Sequence, residues 1–111
     1  MLYWNKNLYM EDKVKKHPER FRKRIERRKL VTSCYCITIA SNSSNCMDIY
    51  CSREFWFQYY RTKDLEIIGL AATREGAEEI LQKMVQDIFQ KKGKVDFESV
   101  SEFFEAGVHN R

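Results

Sequence analysis

The chain has 111 residues, 43% hydrophobic and 32% charged, with four Gly, one Pro and a formal net charge of +4. That size makes one domain able to bury a modest core without metals or staples, and the composition excludes a disordered or linker-rich polypeptide. No segment approaches the ~20 consecutive apolar residues that span a bilayer, and the opening Met-Leu-Tyr-Trp-Asn-Lys has neither an apolar h-region nor a small-residue cleavage site. A cytoplasmic location follows as the expectation, with no membrane partner and with the four cysteines as free thiols.

Residues 1–12 form an apolar arm carrying Leu2, Tyr3, Trp4, Leu8, Tyr9 and Met10, which should dock on its own body or on a neighbour. The segment Lys13–Lys29 follows with ten Lys/Arg, opposed only by Glu19 and Glu26. Val14, Phe21 and Ile25 recur in it at helical spacing. Pro18 suits the first turn of a helix, where its missing N–H costs nothing, so a firm helix is predicted over about 18–29 with a looser turn before it. Charge is divided sharply: residues 1–29 hold eleven Lys/Arg against four acids, and residues 30–111 hold nine against twelve. Such asymmetry describes a basic arm or face on an acidic body.

Leu30–Ala40 is rich in β-branched residues and uncharged, and reads as a strand. Tyr35, Ile37 and Ile39 would share one face; Cys34, Cys36 and Thr38 the other. The polar stretch 41–45 is a loop, and Ser44 or Asn45 suits the cap of a short helix beginning near Cys46. Residues 52–60 admit two readings. Met47, Tyr50, Glu54 and Phe57 continue a period near 3.6, which favours helix; the aromatic content would also make a strand, paired to the next through residues 61–64.

Leu65–Ala72 is the second strand. Thr73 then caps a long helix, in which Ala77, Ile80, Leu81, Met84, Val85, Ile88 and Phe89 make one apolar face. Lys91 and Lys92 suit the negative end of its dipole, and Gly93 the left-handed stop. Asp96 caps a last short helix, with Val95 and Val100 placed as a hydrophobic staple. Residues 106–111 form a frayed tail. The expectation is therefore a single α+β domain in the order α-β-α-β-α-α. It has a body over 30–105 and a small sheet, two-stranded or at most three-stranded, against the long helix 74–92.

Three readings of the basic segment stay open. Lys13, Lys16, Arg20, Arg24, Arg27 and Arg28 could contact nucleic-acid phosphates, six such contacts giving a log–log salt slope of about −5. They could equally be a solvated face whose stems cover apolar surface, or pair with the acidic helix through Glu75, Glu78, Glu79 and Asp87. The aromatic run Phe55, Trp56, Phe57, Tyr59, Tyr60 is too dense to face one small core. Together with Trp4 it marks a candidate interface, with Phe55, Trp56, Tyr59 and Tyr60 its main rings. A small two-stranded sheet is marginal alone, so self-association as a homodimer is expected.

Catalytic chemistry finds little footing. Cys34-x-Cys36 and Cys46-x4-Cys51 lack the two-residue knuckle spacing of zinc ribbons. Sulfurs on one zinc sit within ~4.6 Å, whereas strand residues i and i+2 are ~6.6 Å apart. His17 and His109 have no partner at a useful spacing, no serine has nucleophile-elbow glycines, and Leu70–Glu75 is not a phosphate cradle. The N–H groups near Thr73 and Arg74 could hold an anion, but a simple cap explains them better. No enzyme activity, cofactor, metal or small-molecule ligand is expected. The chain reads as a non-enzymatic interaction module, with a nucleic-acid-binding accessory or regulatory protein as the alternative.

Four stretches carry a resemblance: Ile37-Thr-Ile-Ala-Ser-Asn42, Ile68-Gly-Leu-Ala-Ala-Thr-Arg-Glu-Gly-Ala77, Tyr59-Tyr60-Arg61, and the opening Leu2-Tyr3-Trp4-Asn5-Lys6. Together they resemble an uncharacterised family of short bacterial proteins, over most of the chain. The matching motifs are strand ends, a helix start and an aromatic turn. The family has no assigned activity or catalytic residues, so the resemblance implies no functional role for any position.

Overall fold

The computed structural model describes residues 2–26, 34–39, 46–51 and 65–105. Their elements, in chain order, are β1 (Leu2–Met10), α1 (Asp12–Lys15), α2 (Pro18–Glu26), β2 (Tyr35–Ile39), β3 (Met47–Cys51), β4 (Leu65–Ala71), α3 (Arg74–Lys92) and α4 (Phe97–Phe103). The fold is α+β, as expected, with the long helix in place, but the sheet has four strands in the order β1-β4-β2-β3. β4 runs parallel to β1 and antiparallel to β2, and β2 runs antiparallel to β3.

Two of the expected elements are corrected. The N-terminal arm is edge strand β1, hydrogen-bonded to β4. Its hydrophobic pattern does not alternate because it bulges: residues 5–8 stand opposite Ile68 alone, between the pairs Trp4–Ile67 and Tyr9–Gly69. The helix expected from about Cys46 is strand β3, whose residues pair one for one with β2 from Tyr35–Cys51 to Ile39–Met47. The helical period assigned there depended on Glu54 and Phe57, which lie outside the described residues, as do 27–33, 40–45, the whole aromatic run 55–60, the 61–64 connection and the 106–111 tail.

The sheet has helices on both faces, and two hydrophobic clusters result. On one side Val14, Phe21 and Ile25 of α1 and α2 pack with Cys36, Leu65, Ile67 and Leu70. On the other, Met84 and Ile88 of α3 and Val100 and Phe104 at α4 pack with Ile37, Ile39 and Ile68. The alternation predicted for β2 is thus the partition between the clusters. In β4 the partition changes phase at Ile68, the unpaired residue of a bulge between Ile37–Gly69 and Thr38–Ile67. The bulge lets Ile67 and Leu70, three positions apart, share one layer while Ile68 serves the other. At ~1.5–3 kcal/mol for each large apolar side chain buried, the wholly buried Ile37, Ile67, Ile68, Leu70, Met84 and Ile88 set the fold's hydrophobic driving force.

Local signals set the helix ends. Thr73 Oγ1 accepts from Gly76 N at 2.9 Å, and Asp96 Oδ1 from Ser99 N at 2.8 Å. Gly93 takes φ +78° and donates its N–H to Phe89 O. α2 begins at Pro18. The apolar face of α3 is narrower than its sequence predicts: Ala77, Met84 and Ile88 are buried, but Val85 and Phe89 are exposed, Phe89 by 58%. No helix among the described residues is long and apolar enough to cross a membrane.

Candidate functional site

The basic segment folds as two short helices joined at Lys16-His17, laid on one face of the sheet by Val14, Phe21 and Ile25. These three apolar residues point inward, so the cations between them turn to solvent. Lys13, Lys16, Arg20 and Lys23 are all exposed. Among the described residues none of the four takes part in an ion pair, and none has an acidic side chain within bridging distance. Lys15 reaches Asp12 at 3.8 Å and Arg22 reaches Glu19 at 3.7 Å, both loose and local. Arg24 is half-buried, its guanidinium 5.7 Å from the Phe21 ring centroid.

Neutralisation by the acidic helix is not what the ion pairs show. Glu78 is engaged by Arg74 at 3.4 Å and Asp87 by Lys83 at 4.0 Å, both within α3. No ion pair among the described residues joins α1 or α2 to α3. Of the six cations singled out in sequence, Lys13, Lys16 and Arg20 are exposed and Arg24 is half-buried. Arg27 and Arg28 lie outside the described residues.

Beside this surface lies a cleft of about 410 Å³ between the bulge of β1 and the start of α2. Trp4, Leu8, Met10 and Pro18 give it apolar walls, and Lys6, Glu19 and Arg22 its charges. Arg22 stacks its guanidinium 4.8 Å from the Trp4 ring centroid. Trp4, named from the sequence as an interface residue, is half-buried and packs against the α1–α2 core. The remaining interface residues, Phe55, Trp56, Tyr59 and Tyr60, lie outside the described residues. Sequence reasoning missed Lys6, Arg22 and Lys23. Arg22 and Trp4 are 18 positions apart and meet only because β1 and α2 pack together.

The cleft has a built floor. Asn5, 3% exposed, donates from Nδ2 to Glu66 Oε2 at 2.6 Å and to Phe104 O at 2.7 Å, while its Oδ1 accepts from Asn7 N at 2.9 Å. These bonds hold the bulge open in one shape. Lys6 pairs with Glu105 at 2.5 Å, and Lys6 beside it holds the Glu105 carboxyl below its usual range.

A second constellation sits at the start of α3. Glu11 Oε1 accepts from Ala72 N at 2.8 Å and Thr73 N at 3.3 Å, and Oε2 accepts from the Thr73 hydroxyl at 3.1 Å. The helix N-terminus that could have held an outside anion is thus filled from within, by a carboxylate 62 positions away. Gly76 makes room for it: a Cβ there would run into the Glu11 carboxyl group.

Cys34 and Cys36 are buried, and burial pushes the Cys36 thiol well up, aided by Cys34 and Cys51 nearby. Cys46 Sγ donates to Val95 O at 3.6 Å. Tyr9 donates to Asp87 Oδ2 at 2.6 Å, and desolvation together with that carboxylate raises the phenol above its ordinary range. Among the described residues no three His, Cys, Asp or Glu gather where they could hold a metal ion.

Comparison with protein-family models, with curated proteins and with solved structures found no match for this chain. Function is therefore argued from the surface itself.

Proposed function

We propose that this chain is a binding module, not a catalyst, and that its α1–α2 face docks on nucleic acid through the phosphate backbone. The observation that carries this reading is the set Lys13, Lys16, Arg20 and Lys23: four exposed cations on adjacent helices, with no ion-pair partner among the described residues. An exposed cation left unpaired keeps its full charge for a ligand and releases counterions from a polyanion when it binds. Arg20 and Lys23, three apart in α2, project along one side of it, and Lys16 stands at the turn that leads into it.

Fluorescence anisotropy with labelled DNA and RNA oligonucleotides, titrated at several salt concentrations, tests the proposal. Binding should weaken with a log–log slope of about −4 for four phosphate contacts, and charge reversal at Arg20 or Lys16 should remove about one unit each. No binding at 50 mM salt would refute it.

Self-association is a second reading. Its argument from a two-stranded sheet no longer applies, because β4 is flanked on both sides. What favours it now is α3, where Val85 and Phe89, one turn apart, are exposed large apolar side chains. A second copy meeting that stripe about a two-fold axis would cover both. Sedimentation showing only a 13.4 kDa species at micromolar concentration would contradict it.

A further inference from the structure

We infer that the cleft between β1 and α2 is a pocket for an unpaired nucleobase, so that the ligand of the basic face is a single strand, not a duplex. The inference rests on the phosphate-docking reading above and adds the part of the ligand that reading leaves unspecified.

Three features point to a base. The space, about 410 Å³, has the size of a small-molecule pocket and not of a protein groove. Its walls combine flat and apolar groups, the Trp4 indole, Leu8, Met10 and Pro18, with the Arg22 guanidinium layered on the indole. Indole and guanidinium planes are the two protein surfaces on which unstacked bases settle. The Arg22 side chain is 36% exposed, so the layer is accessible. Finally, the cleft carries charges of both signs, Lys6 paired with Glu105 and Arg22 loosely with Glu19, so the anionic attachment falls to Arg20 and Lys23 on the same helix.

Position strengthens the case. Pro18, Glu19 and Arg22 belong to the same helix that exposes Arg20 and Lys23. A strand following α2 with its phosphates would pass the mouth of the cleft with its bases free to turn in. A base inside a duplex cannot do so without leaving the stack, which costs a few kcal/mol. The pocket itself is held ready: Asn5 fixes the β1 bulge by three hydrogen bonds, which lowers the cost of ordering the protein side of the site.

The test compares three ligands of equal length on the unmodified protein: a single-stranded oligonucleotide, its duplex, and a single strand whose bases are replaced by abasic sites. The single strand should bind at least tenfold more tightly than either of the others, the value expected for one stacked base. Trp4 emission, read in a Trp56→Phe variant, should be quenched by the single strand and not by the abasic strand. Trp4→Ala should abolish the preference while leaving the salt slope unchanged. The abasic comparison and the Arg22→Ala variant keep the test valid should Trp4→Ala fail to fold. Equal binding of all three ligands with the salt slope intact would overturn the base pocket and leave the phosphate face standing. Failure of every ligand to bind would overturn the phosphate face as well.

Discussion

The Glu11–Gly76 contact gives the sharpest stability prediction. Glu11→Ala removes two N–H acceptors and one hydroxyl acceptor from the start of α3. Charge-assisted hydrogen bonds contribute ~1.5–3 kcal/mol and the helix dipole ~0.3–1 kcal/mol; one of the bonds is long at 3.3 Å, so a loss of about 2–3 kcal/mol is expected. Gly76→Ala makes an opposite case. Alanine favours the helix by up to ~1 kcal/mol, yet its Cβ collides with the Glu11 carboxyl and must displace it. In the native background the substitution should therefore cost about 1–2 kcal/mol. In the Glu11→Ala background the obstruction is gone, and the same substitution should stabilise by about 0.5–1 kcal/mol. The coupling energy is then about 1.5–3 kcal/mol, in the upper part of what contacting residues show. Urea unfolding of the four proteins, followed by far-UV circular dichroism, measures it. Additivity within ~0.5 kcal/mol would refute the claim that Gly76 exists to seat Glu11.

Other predictions follow from single contacts. Asn5→Ala should lose about 2–3 kcal/mol in the same assay, since it strands a buried Phe104 carbonyl, and Asn5→Asp should cost no less because a carboxylate would face Glu66 and that carbonyl. Asp96 has its carboxyl held below its usual value chiefly by hydrogen bonding to Ser99. A depressed carboxylate contributes stability that is fully present above its unfolded pKa and lost as pH falls through the folded one. Unfolding midpoints should thus decline below about pH 4, and Asp96→Asn, an equally good cap, should flatten that decline. Thiol labelling of the native protein should be slow at Cys34 and Cys36, both buried, and faster at Cys46 and Cys51; Cys36 reacting first would contradict its position between β4 and β3.

What could be read from the sequence was what neighbours along the chain decide. The caps at Thr73 and Asp96 and the stop at Gly93 depend on residues within a few positions, and each stands where expected; of the predicted α3 face Ala77, Met84 and Ile88 are buried, while Val85 and Phe89 are not. The two faces of β2 were legible for the same reason. β1 was not, because its four-residue bulge breaks the alternation by which strands are recognised and places Asn5, Lys6 and Asn7 in mid-strand. β3 was lost to a period continued from beyond its end. The cleft was invisible for a different reason: Trp4, Arg22 and Asn5 with Phe104 meet across 18 and 99 positions, and no local pattern encodes such meetings. The cations were legible as composition; that Glu78 and Asp87 are engaged within α3 by Arg74 and Lys83 was not.

The central claim is that the exposed cations Lys13, Lys16, Arg20 and Lys23 receive a polyanion. The salt dependence of oligonucleotide affinity measures it most directly. Affinity should fall with a log–log slope near −4 for a duplex or near −3 for a single strand, becoming about one unit shallower in Arg20→Glu. A slope near zero, or one that Arg20→Glu leaves unchanged, would contradict the account.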